Sequence, residues 1–180
     1  VLALGVVNYV GVKPGAALYG VTTGEDPLKV VVPSFSLKSI RQSTPVSGAT
    51  NTLTVSLTAN FHLIAGSTVT ITGLTGSQTA DSSLTVTSTG GLLGTSGAWT
   101  QSGQLVLTAG GVGTVSGTTC EVTFDLTNRN TAQASPAVSL SAEIKDGSGN
   151  SVGSIASAEM TKPGTDLYGV TDGADPLLVV

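Results

Sequence analysis

The sequence predicts an all-β fold, an antiparallel β-sandwich. Three observations carry that prediction. Apolar residues alternate with Thr and Ser over many short runs, the signature of half-buried strands. Clusters of Gly, Pro, Asn and Asp interrupt those runs at intervals of about 8–12 residues, as sandwich turns do. No stretch repeats its apolar residues at helical spacing.

In chain order, 1–12 is an apolar run, followed by Lys-Pro-Gly and Gly-X-Asp-Pro punctuation around Leu18-Tyr19-Gly20-Val21. Strands are expected from Leu28, first Leu28–Val32 and then Ser34–Arg41, with Pro33 marking an edge or a kink between sheets. Thr52–Thr58 places Leu53, Val55 and Leu57 inward and its hydroxyls outward, and Ser67–Leu74 does the same with Val69 and Ile71. Ser83–Ser88, Ala98–Thr100 and Gln104–Thr108 follow between Gly-rich loops. Thr119–Asn128 puts Cys120, Val122, Phe124 and Leu126 on one face, and Ala137–Lys145 puts Val138, Leu140, Ala142 and Ile144 likewise. Asp146–Asn150 reads as a hairpin loop leading into a last strand, Val152–Met160. This count and spacing favour immunoglobulin-like, Greek-key connectivity.

Organisation is set by a repeat. Residues 13–31 (KPGAALYGVTTGEDPLKVV) return as 162–180 (KPGTDLYGVTDGADPLLVV), with 14 of 19 positions identical at an offset of 149 residues. Self-similarity at a fixed distance marks a repeat array, here with a whole domain as the unit. The expected division is 1–12 as the last strand of a preceding repeat, 13–27 as a linker, 28–161 as the sandwich, and 162–180 as linker plus first strand of the next. The ends read as cuts in a longer polyprotein. The joint residues singled out are Lys13, Pro14, Leu18, Tyr19 and Pro27, with Lys162, Pro163, Leu167, Tyr168 and Pro176 as their counterparts. Their Leu and Tyr are expected to pack on a neighbouring module, stiffening the joint beyond a Gly/Ser linker. Pro27–Val31 and Leu177–Val180 are candidates to add a strand to a neighbour's sheet edge.

Composition narrows the function classes. Only 10% of residues are charged, against about a quarter in ordinary soluble domains. Mean hydropathy is +0.33, yet no apolar run approaches the roughly 18 residues a spanning helix needs, so no membrane insertion is expected. A net charge of −4 with seven basic residues offers no cationic surface for nucleic acid. It also leaves little repulsion between like copies. One cysteine makes no disulfide framework.

Chemistry is sparse. His62 is the only histidine, so no catalytic triad or metal cluster can use a second one, and a solvated surface role is expected. Glu121 and Asp125 alternate outward on one strand; a wet strand face explains them better than a glycosidase-like pair. Cys120 reads as a buried thiol, and Trp99 as a core residue before a sugar-stacking platform. Asp146–Asn150 lacks the further carboxylates that a Ca²⁺ loop would want. Lys38, Asn128 and Asp125 are the one set of residues that could form an isopeptide bond. No enzyme activity, metal or cofactor is expected. The Thr rows (Thr52, Thr54, Thr58; Thr68, Thr70, Thr72) are candidates for O-glycan attachment or lateral packing, with ice binding a weaker fit on a twisted face.

Thr68–Gly76 (TVTITGLTG), Trp99 and Cys120–Asn128 (CEVTFDLTN) resemble modules repeated in very large extracellular proteins of microalgae and other protists. The chain is also similar, more loosely, to immunoglobulin-like repeats of bacterial surface fibres. The resemblance covers most of residues 28–160 and implies a structural role at the cell surface. The expected function is a repeat unit of an extracellular filament, appendage or surface layer, with further copies of itself as partners. The alternative is a stalk or glycan-binding adhesin module, which would show an exposed aromatic cluster or a metal loop.

Overall fold

Each alternating run folds into a strand with its apolar row inward. The computed structural model describes residues 11–111 and 113–180. It contains β1 (Phe35–Gln42), β2 (Thr50–Ala59), β3 (Thr68–Thr72), β4 (Ser82–Ser88), β5 (Ser96–Thr100), β6 (Gln104–Thr108), β7 (Cys120–Thr127), β8 (Ser139–Lys145) and β9 (Ser151–Glu159). A short 3-10 turn, Thr89–Gly91, follows β4, and the described residues hold no α-helix. The expected strand at 1–12 lies outside the described residues except for Gly11 and Val12, which are exposed and irregular.

The all-β, antiparallel prediction holds. The nine strands run in the order β1-β2-β7-β4-β5-β6-β3-β8-β9. β4, β5 and β6 form a meander and β7 returns beside β4, which is a Greek key. The layering differs from the expected pair of separate sheets: the strands form one nearly closed sheet, a flattened barrel. Two corners account for this. At one, β4 changes partner midway, Ser82–Thr85 pairing with β5 and Val86–Ser88 with β7. At the other, Thr161, just past β9, bridges β1 in parallel, its N–H donating to Lys38 (2.8 Å) and its carbonyl accepting from Ile40 (3.1 Å). That bridge covers part of the edge that an open sheet presents to other chains.

The two inner faces meet in a single core. Leu53, Val55 and Leu57 of β2 face Val69, Ile71, Leu105, Leu107 and Leu140 across it, all essentially buried. Trp99 is buried there and its indole N–H donates to the Thr79 carbonyl (2.9 Å), as the sequence reading of a core residue requires. Cys120 is buried as expected, and burial pushes its thiol above its ordinary pKa.

Two local expectations are corrected. Leu28–Val32 is not a strand: it is a turn followed by irregular chain, and Leu28, Val30 and Val32 are exposed. No ladder or bridge among the described residues pairs any of 28–32. Thr58 does not face solvent. It is buried and shares a 2.9 Å hydrogen bond with Thr119, because both faces of β2 are covered at that end.

Candidate inter-module joint

The repeated motif folds the same way twice. Leu18 and Val21 exchange N–H···O bonds (3.2 and 2.9 Å), and so do Leu167 and Val170 (3.1 and 3.0 Å). The two residues between them have positive φ in both copies: Tyr19 50° and Gly20 78°, Tyr168 53° and Gly169 77°. That is the pattern of a type I′ two-residue hairpin, and it explains the Gly. The Asp26 carboxylate accepts from Gly15 N–H (2.9 Å) and that of Asp175 from Gly164 N–H (2.8 Å), tying each Lys-Pro-Gly to its Asp-Pro. Each Asp-Pro-Leu then turns, Lys29 N–H reaching Asp26 O (3.1 Å) and Leu178 N–H reaching Asp175 O (3.2 Å). Pro in the second position with positive φ in the third is the type II signature, where Gly is usual. Here the third residue is Leu in both copies, Leu28 at 62° and Leu177 at 53°.

The two motifs sit at opposite ends of the barrel. β1 runs from one pole at Phe35 to the other at Gln42, a span of about 25 Å at the usual rise per strand residue. At the first pole, Tyr19 stacks on Phe61 with ring centroids 5.7 Å apart and planes 21° from parallel. His62 N–H donates to Tyr19 O (2.9 Å), and Gly20 lies so close that a Cβ there would strike the His62 ring and Ser116. The Asn60 side chain closes the exit, accepting from Ser34 N–H (2.7 Å) and donating to Val32 O (3.0 Å).

At the second pole the other half of the motif is gripped. Gln42 Nε2 donates to Gly173 O (2.8 Å) and Leu178 O (2.9 Å), while its own N–H donates to Ala174 O (3.0 Å). Gln133 exchanges both backbone bonds with Val179 (2.9 Å each), and its side chain donates to Leu177 O (3.0 Å). Ser135 Oγ donates to Pro176 O (2.8 Å), Val180 N–H to Pro45 O (2.9 Å), and Lys162 Nζ to Ser135 O (3.1 Å). Behind Gln42 stand two buried amides. Asn51 Nδ2 donates to Gln42 Oε1 (2.7 Å) and Asn128 Oδ1 (2.8 Å), and Asn128 Nδ2 donates to Thr44 O and Val46 O. Each polar atom in this chain of amides has a partner, so its burial carries no unpaired penalty.

Burial therefore divides by face. Leu177 and Val179 are 1% and 2% exposed, whereas their counterparts Leu28 and Val30 are 98% and 84% exposed. Pro176 is buried and Pro27 exposed. Tyr19 is half-buried on Phe61, whereas Tyr168 is 76% exposed and nothing stands within 4 Å of a Cβ built on Gly169. Leu18 is exposed and Leu167 half-buried. Lys13 lies 4.0 Å from the Asp26 carboxylate instead of reaching a module, and Pro14 and Pro163 are exposed. Val179 makes one isolated bridge, so the second motif caps a pole and does not extend a sheet.

The other sequence candidates separate. Thr52 Oγ1 donates to the Asp125 carboxylate (2.7 Å), and Thr54, Thr68, Thr70 and Thr72 are half-buried along their strands. Lys38 lies across from Leu57, which pairs with Cys120, so Asn128 is about 26 Å away along the strands and no isopeptide bond can form. The Asp146 carboxylate accepts from Ser148 N–H, Asn150 N–H and Asn150 Nδ2, which holds its pKa below the ordinary value and makes the loop a turn.

Of the residues that receive the motif, Phe61, Gln42 and Gln133 lie in no motif of the sequence, and His62, expected as a solvated surface residue, is half-buried against Tyr19 and Gly20. One signal was present: the inward rows of β1, β2 and β7 end on amides, at Gln42, Asn51 and Asn128.

No family model matches the chain, nor does any curated protein. Among solved structures it is similar to one described as "AvmM Catalyzes Macrocyclization in Alchivemycin A Biosynthesis". The identity is 12% and the TM-score 0.38, over 73% of this chain and 92% of that one. This corrects one expectation. With a catalyst among the chains it is similar to, the reading that the protein is not an enzyme is withdrawn. At that TM-score the likeness carries no argument for an activity.

Proposed function

We propose that this chain is a structural repeat unit of an extracellular filament, appendage or cell-surface layer, assembled head-to-tail through the repeated joint. One observation carries the reading: two copies of one motif, identically folded, lie at opposite poles and bury opposite faces. A contact between unlike ends of a module, where its rotation does not close a ring, propagates a rod or helix when repeated. The low charge of the chain leaves little repulsion between successive units. The resemblance to repeats of giant surface proteins supports the same reading.

Electron microscopy of the native material tests it. Uniform filaments whose axial repeat corresponds to one or a few modules are expected. Isolated globular particles that retain a defined sugar in a glycan screen would overturn the reading in favour of an adhesin module.

A further inference from the structure

We infer that the exposed half of the first motif, Gly24–Val31, is the docking face for the Gln42/Gln133 pole of a second copy of this module. Leu28 and Val30 would take the places that Leu177 and Val179 hold here. The inference rests on the head-to-tail reading and names the surfaces that meet.

Three features support it. The occupant is already seen on the receiving surface, because the same Asp-Pro-Leu-X-Val-Val sequence fills it at 175–180. Most of the grip is on the backbone of the motif: Gln42 and Gln133 bond the carbonyls of Gly173, Leu177, Val179 and Leu178, so the changes Ala174 to Glu25 and Leu178 to Lys29 leave those contacts available. Both replaced side chains lie at positions that are not fully buried in the second motif.

The second feature is conformation. A Leu in the left-handed region costs about 1–2 kcal/mol, and burial of the side chain at Leu177 offsets that cost. Leu28 holds the same φ with its side chain 98% exposed, so its turn is closed by the Lys29 N–H to Asp26 O bond without the side-chain burial that Leu177 has. A second copy at this face would supply that burial.

The third feature is that the two grips use different motif positions. The first pole touches Tyr19, Gly20 and, just past the repeat, Val32; the second touches the positions of Gly173 to Val180. One joint can therefore hold two modules at once. A pocket of about 250 Å³ is lined by Tyr19, Phe61, Lys29 and Val30.

The test uses the full chain with Leu177→Asp, which expels its own second motif from the pole. The probe is a synthetic peptide of residues 24–32, added to the isotope-labelled protein. Amide shifts are expected at Gln42, Val46 and Gln133, with a Leu28→Asp peptide roughly tenfold to a hundredfold weaker. Millimolar peptide that moves none of these amides, or a Leu28→Asp peptide that binds as well, overturns the inference. If Leu177→Asp disturbs the Trp99 signature of the folded barrel, Leu177→Ala serves in its place with the same outcomes. Native filaments together with a peptide that does not bind would leave head-to-tail assembly standing and remove only this interface; absence of both removes both.

Discussion

Leu28 and Leu177 occupy the same position of one motif with the same backbone, which gives a matched pair of perturbations. Leu177→Ala removes a side chain that is 1% exposed and part of the buried apolar cluster, at a residue whose carbonyl accepts from Gln133. Buried Leu→Ala changes cost about 2–5 kcal/mol, the transfer term plus whatever cavity does not collapse. The loss falls first on docking of the terminal segment, since the barrel closes through β1–β9 and Thr161 without it. Leu28→Ala trims a side chain that is 98% exposed, and such surface changes stay within about 0.5 kcal/mol. Hydrogen exchange separates the two, because local opening is read amide by amide. The Val179, Val180 and Gln133 amides should exchange on the order of 30-fold faster in Leu177→Ala, the factor for about 2 kcal/mol, and at the wild-type rate in Leu28→Ala. Equal behaviour of the two variants would refute the division of faces on which the joint is argued.

Gln42→Glu replaces a double donor with a carboxylate facing the Gly173 and Leu178 carbonyls, so the terminal segment should undock at neutral pH and its amides lose protection, by about 1–3 kcal/mol per orphaned group. Gly20→Ala should weaken the first pole more than Gly169→Ala weakens the second: both oppose a positive φ, but only the Cβ at Gly20 meets His62 and Ser116. Near-ultraviolet dichroism of the Tyr19–Phe61 pair reports the difference. The Asp146 carboxyl has a folded pKa below its ordinary 3.8, so its contribution is present above that value and fades as pH falls through the lowered one. Exchange at Ser148 and Asn150 should rise only in that acidic window, and Asp146→Asn should flatten the dependence.

Much of the barrel was legible because alternation is a local record of burial. The inward rows Leu53-Val55-Leu57 and Cys120-Val122-Phe124-Leu126 are buried as read. Partner choice leaves no such record. Nothing around Thr85 and Val86 announces that β4 exchanges β5 for β7, so one continuous sheet was read as two. Leu28–Val32 misled for a related reason: an apolar run looks alike whether it lies in a sheet or awaits a partner. The repeated motif itself is legible by self-similarity. Its receivers were hidden because Gln42 and Gln133 act through backbone groups of the motif, whose sequence is indifferent to them.

The parallel bridge at Thr161 bears on how the molecule responds to tension. A pull along the chain enters where Ser34 leads into β1 and leaves where Thr161 leads into Lys162. Those two segments run side by side in the same direction, so opposite pulls slide them lengthwise and load the Lys38 and Ile40 bonds together. Such a seam yields all at once, not link by link; in the proposed filament it would keep its length under load until it parts.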